Sequence, residues 1–218
     1  GKKELYPLSE KMDNDEWWPD GIFKKMGDLG LLGLTVDSKY GGSGMSYLQA
    51  GLVCQAFGKW NHALALSWVA HDNLCLDNMY RNGSDFVREK YVKKLCSGDL
   101  IGCLGLTEPG AGSDALGSMK TTAVKNGNKY VLNGSKTYIT NGAIADVILV
   151  YAKTDTSKGN KGISAFVVET KSNGFKVVSK LRKMGYRGSQ TAELFFDNVE
   201  VPIENMIGEE GTGHITIM

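Results

Sequence analysis

The spacing of apolar residues changes period near residue 100, and a chain with that change folds as a helical part followed by a β part. Before it, Ile22, Phe23, Met26 and Leu29 fall on one helical face. Leu52, Val53, Ala56, Phe57 and Trp60 form a second stripe at i, i+1, i+4, i+5 and i+8. A third helix is predicted to start at Ser84, a good N-cap, with Val87, Tyr91 and Leu95 four residues apart. Tyr40-Gly41-Gly42-Ser43-Gly44, between the first two, is loop by composition. After residue 100 the period shortens towards two and β-formers dominate. Asn126-Gly127 and Asn133-Gly134 each lie between strand-like runs and predict tight type I′ hairpins. Further strands are predicted over Asp146–Lys153, Gly162–Glu169, Phe175–Leu181 and Thr191–Val201. Their short Gly- or Lys-rich connections favour an antiparallel sheet or small barrel over a βαβ sheet. The expected class is α+β: an all-helical domain over 1–100, an antiparallel β-barrel-like domain over 101–208, and the start of something new over 209–218.

Bulk properties exclude several functions. A formal net charge of +1 argues against a chain built to grip nucleic acid or an anionic membrane. No apolar run approaches the roughly 18 residues needed to span a bilayer. Gly1-Lys2-Lys3-Glu4 has neither a signal-peptide nor a transit-peptide pattern. Cys54, Cys75, Cys96 and Cys103 lack C-x-x-C spacing and are expected to be buried, reduced thiols. His62, His71 and His214 lie apart without metal-ligand spacing, so no metal site is expected.

The most informative stretch is Leu104-Gly105-Leu106-Thr107-Glu108-Pro109-Gly110-Ala111-Gly112-Ser113-Asp114. An apolar strand there runs into a Pro- and Gly-rich turn carrying hydroxyls at Thr107 and Ser113. Such a turn is either a plain surface connection or a place where bare backbone approaches a flat or phosphorylated ligand. It is neither G-x-G-x-x-G nor a Walker loop, which argues against a Rossmann site. A second stretch, Lys136-Thr137-Tyr138-Ile139-Thr140-Asn141-Gly142, puts an aromatic and a hydroxyl two residues apart. On a regular strand both share one face. That pair suits a planar cofactor, and it equally suits an ordinary solvated or core face.

Taken together, Thr-Glu-Pro-Gly-Ala-Gly-Ser-Asp at 107–114 and Tyr-Ile-Thr-Asn-Gly at 138–142 resemble the paired signature of acyl-CoA dehydrogenases. The resemblance extends from Lys25-Met26-Gly27-Asp28-Leu29-Gly30-Leu31-Leu32-Gly33 to Lys183-Met184-Gly185-Tyr186-Arg187-Gly188-Ser189 and Gly208-Glu209. It implies FAD as cofactor. Leu104, Leu106 and Thr107 would run along the isoalloxazine, and Gly112 and Ser113 would lie near the pyrophosphate or the pantetheine arm. Tyr138, where the family usually has Trp, would lie with Ile139 by the flavin's outer face. Thr140 would donate to flavin N5, the hydride acceptor.

The same resemblance makes Asn160 and Lys161, with Ser113, candidates for contact with CoA, although Ser157–Gly162 reads by itself as a charged turn. Residues 63–75, Arg81-Asn82-Gly83 and Arg88-Glu89-Lys90-Tyr91 are most similar to the isovaleryl-CoA branch of the family. That branch implies conversion of isovaleryl-CoA to 3-methylcrotonyl-CoA in leucine catabolism, electron-transfer flavoprotein as acceptor, a homotetramer and the mitochondrial matrix. Butyryl- or 2-methylbutyryl-CoA oxidation is the alternative, as is an acyl-CoA oxidase or a non-catalytic flavin- and CoA-binding module. His71 is expected to be a packed core histidine. No catalytic residue is expected in this chain: the family's glutamate base would fall beyond Met218, in a C-terminal helical bundle this sequence does not include, and neither Glu209 nor Glu210 matches it.

Overall fold

The computed structural model describes residues 1–217. Helices fill the N-terminal part: α1 (Tyr6–Asp15), α2 (Ile22–Asp28), α3 (Tyr47–Trp60) and α4 (His62–Val69). From α4 the chain continues through a wide π-type stretch (Ala70–Asp77) into α5 (Asn78–Asn82). After Gly83, the short α6 (Asp85–Val87), a second π-type stretch (Arg88–Val92) and α7 (Lys93–Cys96) form one continuous rod. Ser84 caps it as expected, its hydroxyl accepting from the Val87 N–H at 3.3 Å.

The predicted faces hold in part. Ile22, Phe23 and Met26 are buried, but Leu29 is exposed because α2 ends at Asp28 and the chain turns at Gly30, φ +66°. On α3 only Phe57 is fully buried, and Leu52 is 56% exposed. The helix is held instead by its capping box, Ser46 with Gln49, and by packing on α4.

Among the described residues the β part has eight strands: β1 (Gly102–Gly105), β2 (Thr122–Asn126), β3 (Lys129–Ile139), β4 (Val147–Lys153), β5 (Ile163–Glu169), β6 (Phe175–Lys180), β7 (Ala192–Pro202) and β8 (Met206–Ile207). The path runs β6-β7-β3-β2-β4-β5-β8, with β1 beside β4. Most pairs are antiparallel, as expected, but β4 pairs in parallel with β1 and at one position with β2. A short helix, α8 (Gly213–Thr216), follows.

Alternation along β4 and β5 explains the layering. Val147, Leu149, Tyr151, Ala165 and Val167 face the helices, packing with Cys75, Leu76, Met79, Tyr91 and Leu95. Ile148, Val150, Ala152, Phe166 and Val168 face the other way, against Leu132, Leu194, Phe196 and Val199 of β3 and β7. The sheet therefore closes over its own core in a barrel-like way, and both faces of β4 and β5 are dry.

The two Asn-Gly pairs behave differently from each other. Asn126 pairs with Lys129, so the first is a two-residue hairpin, but positive φ falls on Gly127 alone (+62°). That is the sign pattern of a II′ turn with Gly at its first central position, not I′. The second is no hairpin: β3 runs straight through Asn133-Gly134. The Asn133 side chain accepts from Asn198 N–H at 2.8 Å and supports a bulge in β7, where Asn198 has φ +52°. Gly134, φ +150°, lets Thr121 approach: a Cβ there would lie 2.7 Å from the Thr121 Cα.

All four cysteines are free; Cys75, Cys96 and Cys103 are buried, whereas Cys54 is only half-buried. Burial pushes the Cys75 and Cys96 thiols up to about 12. No helix among the described residues is long and apolar enough to cross a membrane.

Candidate functional site

The structure sets the two informative segments side by side. Beyond β1 the chain closes a tight turn: Glu108 and Ala111 exchange both backbone hydrogen bonds, at 3.0 and 3.1 Å, around Pro109-Gly110. Three consecutive residues of this segment are held by β3. Lys136 Nζ donates to the Leu106 carbonyl at 3.0 Å and to Glu108 Oε1 at 2.8 Å, and the Thr137 N–H donates to the Thr107 carbonyl at 2.9 Å.

The Lys136–Glu108 pair is dry, with side chains 0% and 5% exposed. Glu108 also accepts the Lys120 N–H at 2.6 Å and the Thr121 N–H at 3.0 Å. Burial works to raise its pKa, but the Lys136 ammonium and these donors together outweigh it and hold the carboxyl below its usual range. Burial pulls Lys136 down to about 8, with Glu108 opposing. The geometry, with Nζ set between a carbonyl and a carboxylate, fits an ammonium–carboxylate pair.

Regular alternation would put Lys136, Tyr138 and Thr140 on one face, and the structure departs from it. Between the Lys136–Leu194 and Ile139–Ala192 pairs, two residues of β3, Thr137 and Tyr138, face one of β7, a bulge with Tyr138 at φ +58°. Lys136 is thereby sealed inside while Tyr138 is 71% exposed. Ile139 is buried, β3 ends there, and Thr140 begins the following turn, half-buried. An aromatic residue at positive φ costs of order 1–3 kcal/mol and persists where surroundings enforce it, commonly at functional sites.

Asn141, φ +64° and fully buried, ties this turn to the helices. Its Nδ2 donates to the Ser67 carbonyl at 2.8 Å and the Gly102 carbonyl at 3.3 Å. Its Oδ1 has no partner among the described residues. His71 joins the same layers: Nδ1 accepts the Gly102 N–H at 3.0 Å, so Nε2 carries the proton and donates to the Leu95 carbonyl at 3.1 Å. With both nitrogens engaged it is the packed core residue expected.

Leu104 lines a cleft of about 360 Å³ with Tyr47, Leu74, Asn78 and Ile217, and Leu106 is half-buried against the helix-facing core. Thr107 is half-buried, and Gly112 and Ser113 are exposed. Asn160 and Lys161 lie in the 3₁₀ turn (Thr156–Gly162) between β4 and β5, both exposed. Among the described residues no hydrogen bond or ion pair joins them to the 104–113 segment. That segment and this turn nevertheless leave the sheet at the same end, since β1 runs parallel to β4 and Lys153 Nζ reaches the Gly117 carbonyl.

Sequence reasoning assigned no role to Glu108, Lys136 or Asn141, although all three lie inside the two segments. A Glu and a Lys 28 residues apart carry no mark of pairing until the fold brings them together.

The residues present fit a flat cofactor with a diphosphate. Gly110 and Gly112 have ordinary φ, and no heavy atom lies within 4 Å of where a Cβ would be. Neither backbone geometry nor packing in this chain requires glycine there, whereas close approach by a ligand does. The hydroxyls of Thr107, Ser113 and Thr140 make no hydrogen bond among the described residues, leaving donors free beside the exposed Tyr138 ring.

Known proteins share this fold. Residues 1–99 match the model of the acyl-CoA dehydrogenase N-terminal domain, and residues 103–199 that of its middle domain. The mitochondrial isovaleryl-CoA dehydrogenase of Pongo abelii is 44% identical over the whole chain, which covers 52% of that protein. The structure of butyryl-CoA dehydrogenase from Megasphaera elsdenii superposes with TM-score 0.93 at 40% identity, over 98% of this chain and 57% of that one. A glutaryl-CoA dehydrogenase from Mycobacterium smegmatis, solved in complex with FADH2, superposes with TM-score 0.90 at 34% identity, over 99% of this chain and 54% of that one. The chain thus spans about half the length of the relatives it matches. With a helical and a β domain each matched and every one of these relatives alike across it, this chain belongs to the acyl-CoA dehydrogenase family of FAD oxidoreductases.

Proposed function

We propose that residues 1–100 and 101–208 form a platform for FAD and a CoA thioester, with 209–218 opening a further helical domain. In the complete protein this platform serves α,β-dehydrogenation of a short branched acyl-CoA, isovaleryl-CoA to 3-methylcrotonyl-CoA. The observation that carries the reading is the pinning of 106–108 against β3, which leaves free hydroxyls and bare glycine backbone beside an exposed, strained Tyr138. Leu104, Leu106 and Thr107 line the flavin ring's path, Gly112 and Ser113 its diphosphate, and Tyr138 and Ile139 its outer edge. FAD, when bound, supplies the acceptor for the substrate's β-hydride. Thr140 offers a hydroxyl donor to the ring atom that takes the hydride, a preorganised stabilisation of developing charge. Ser113, Asn160 and Lys161 meet the CoA moiety, Lys161 as a point charge for phosphate.

The α-proton needs a base in a dry pocket. Glu108 does not serve: its carboxylate is committed to Lys136 and two backbone N–H groups. Electron-transfer flavoprotein as acceptor, a homotetramer and the mitochondrial matrix complete the proposal. The 40% identity to a bacterial butyryl-CoA dehydrogenase supports a straight-chain substrate, and another compartment, as the second reading.

The chain is tested by titrating it with FAD and following flavin fluorescence. Saturable quenching is expected, and its absence refutes the platform. For the complete protein, anaerobic flavin bleaching by isovaleryl-CoA should exceed that by butyryl-CoA; equal bleaching removes the branched-chain assignment.

A further inference from the structure

We infer that Lys136 is a positioning residue, which orients the backbone N–H of Thr107 as a donor into the proposed flavin site. The inference rests on the flavin reading above. In a trans peptide the carbonyl and the next N–H point in opposite directions. The Leu106 carbonyl is turned onto Lys136 Nζ at 3.0 Å, so the Thr107 N–H points away from Lys136. That N–H has no backbone or side-chain partner among the described residues, in contrast to the Glu108 N–H, which is taken by Ala111. The next peptide is tied to β3 as well, its Thr107 carbonyl accepting the Thr137 N–H, so the planes on both sides of the Thr107 Cα are each fixed by one hydrogen bond.

Glu108 plays the complementary part. It accepts from Lys136 and from the Lys120 and Thr121 amides, fastening the far end of the 109–119 loop to the same ammonium. A dry ion pair is weak evidence for stability, because desolvation offsets the attraction, and apolar replacements of such pairs are commonly tolerated. Its retention here has a geometric reason: a lysine reaches a carbonyl and a carboxylate at once, and a methionine of similar length reaches neither as a donor.

The test compares Lys136→Met, Lys136→Arg, Glu108→Gln and the double variant Lys136→Met/Glu108→Gln in the full chain. Measurements are thermal unfolding, the FAD dissociation constant and visible spectrum, and amide hydrogen exchange over 106–112. Lys136→Met alone is expected to unfold more easily because it strands the Glu108 charge. The double variant removes that charge and should recover most of the melting temperature, yet bind FAD at least tenfold more weakly with an altered flavin band. Its 106–112 amides should exchange faster while β4 and β5 stay protected. Lys136→Arg, which keeps a donor, should restore part of the affinity. A double variant with recovered melting temperature and unchanged affinity, spectrum and exchange overturns the positioning role and leaves only charge balance. If the unmodified chain binds no FAD, the flavin reading fails; unchanged exchange at 106–112 in the double variant then also removes the positioning role, and faster exchange upholds its backbone part.

Discussion

Replacing His71 with Gln should make stability less sensitive to acid, by an amount the structure allows to be worked out. The imidazole is fully buried, accepts the Gly102 N–H through Nδ1 and donates to the Leu95 carbonyl through Nε2. A second ring proton would point at the Gly102 N–H in a dry site, so burial pulls the group from 6.5 down to about 4. Between those values the unfolded chain binds the proton and the folded chain does not, so stability is present above pH 6.5 and is lost as pH falls towards 4. The full window is worth about 3 kcal/mol, of which about 2 kcal/mol falls between pH 7 and pH 5. Asp72 next to it has the opposite sign. Burial raises its carboxyl to about 7, so its contribution is greatest in acid and is lost as pH rises from 3.8 to 7. The wild-type profile alone is therefore flattened, and the comparison between variants isolates His71. Urea unfolding followed by the fluorescence of buried Trp18 and Trp68 at several pH values is the assay. Glutamine satisfies one of the two backbone partners, so His71→Gln should cost about 1–3 kcal/mol at pH 7. That cost should shrink by about 2 kcal/mol at pH 5. Parallel curves for the two proteins would refute the argument that His71 is held neutral.

Other perturbations test the site and its frame. Lys136→Met should destabilise by about 3–5 kcal/mol in urea, and adding Glu108→Gln should return most of it; additive losses would contradict a buried pair. Gly134→Ala places a methyl 2.7 Å from the Thr121 Cα at φ +150° and should cost about 2 kcal/mol or more, read from the melting temperature. Gly112→Ala meets open space and should change stability by less than about 0.5 kcal/mol while weakening FAD binding, so wild-type affinity would count against close approach there. Tyr138→Gly should relieve the positive φ, leaving stability equal or about 1 kcal/mol higher, and reduce flavin quenching; a clear loss of stability would show that the exposed ring packs in a way its exposure conceals.

The order of helices then strands could be read from hydrophobic period, because burial of one face imposes 3.6 on a helix and two on a strand whatever else surrounds it. The four later strands were placed within a residue or so for that reason, and Ser84 was recognisable as a cap because capping is local chemistry. The family, too, was legible, in two contiguous signatures. What the sequence could not show depends on partners distant along the chain. Asn133-Gly134 has turn chemistry, but Thr121 and Asn198 make it the middle of a strand. Leu52 has the spacing of a core residue, yet no element among the described residues covers it. The bulge at Tyr138 inverts the face that strict alternation assigns, and only the register against β7 reveals it. The sequence marks residues 104–114 and 136–142 as neighbours of one ligand; the tertiary structure decided that they are neighbours of each other, through a buried lysine paired with Glu108 from 28 residues away.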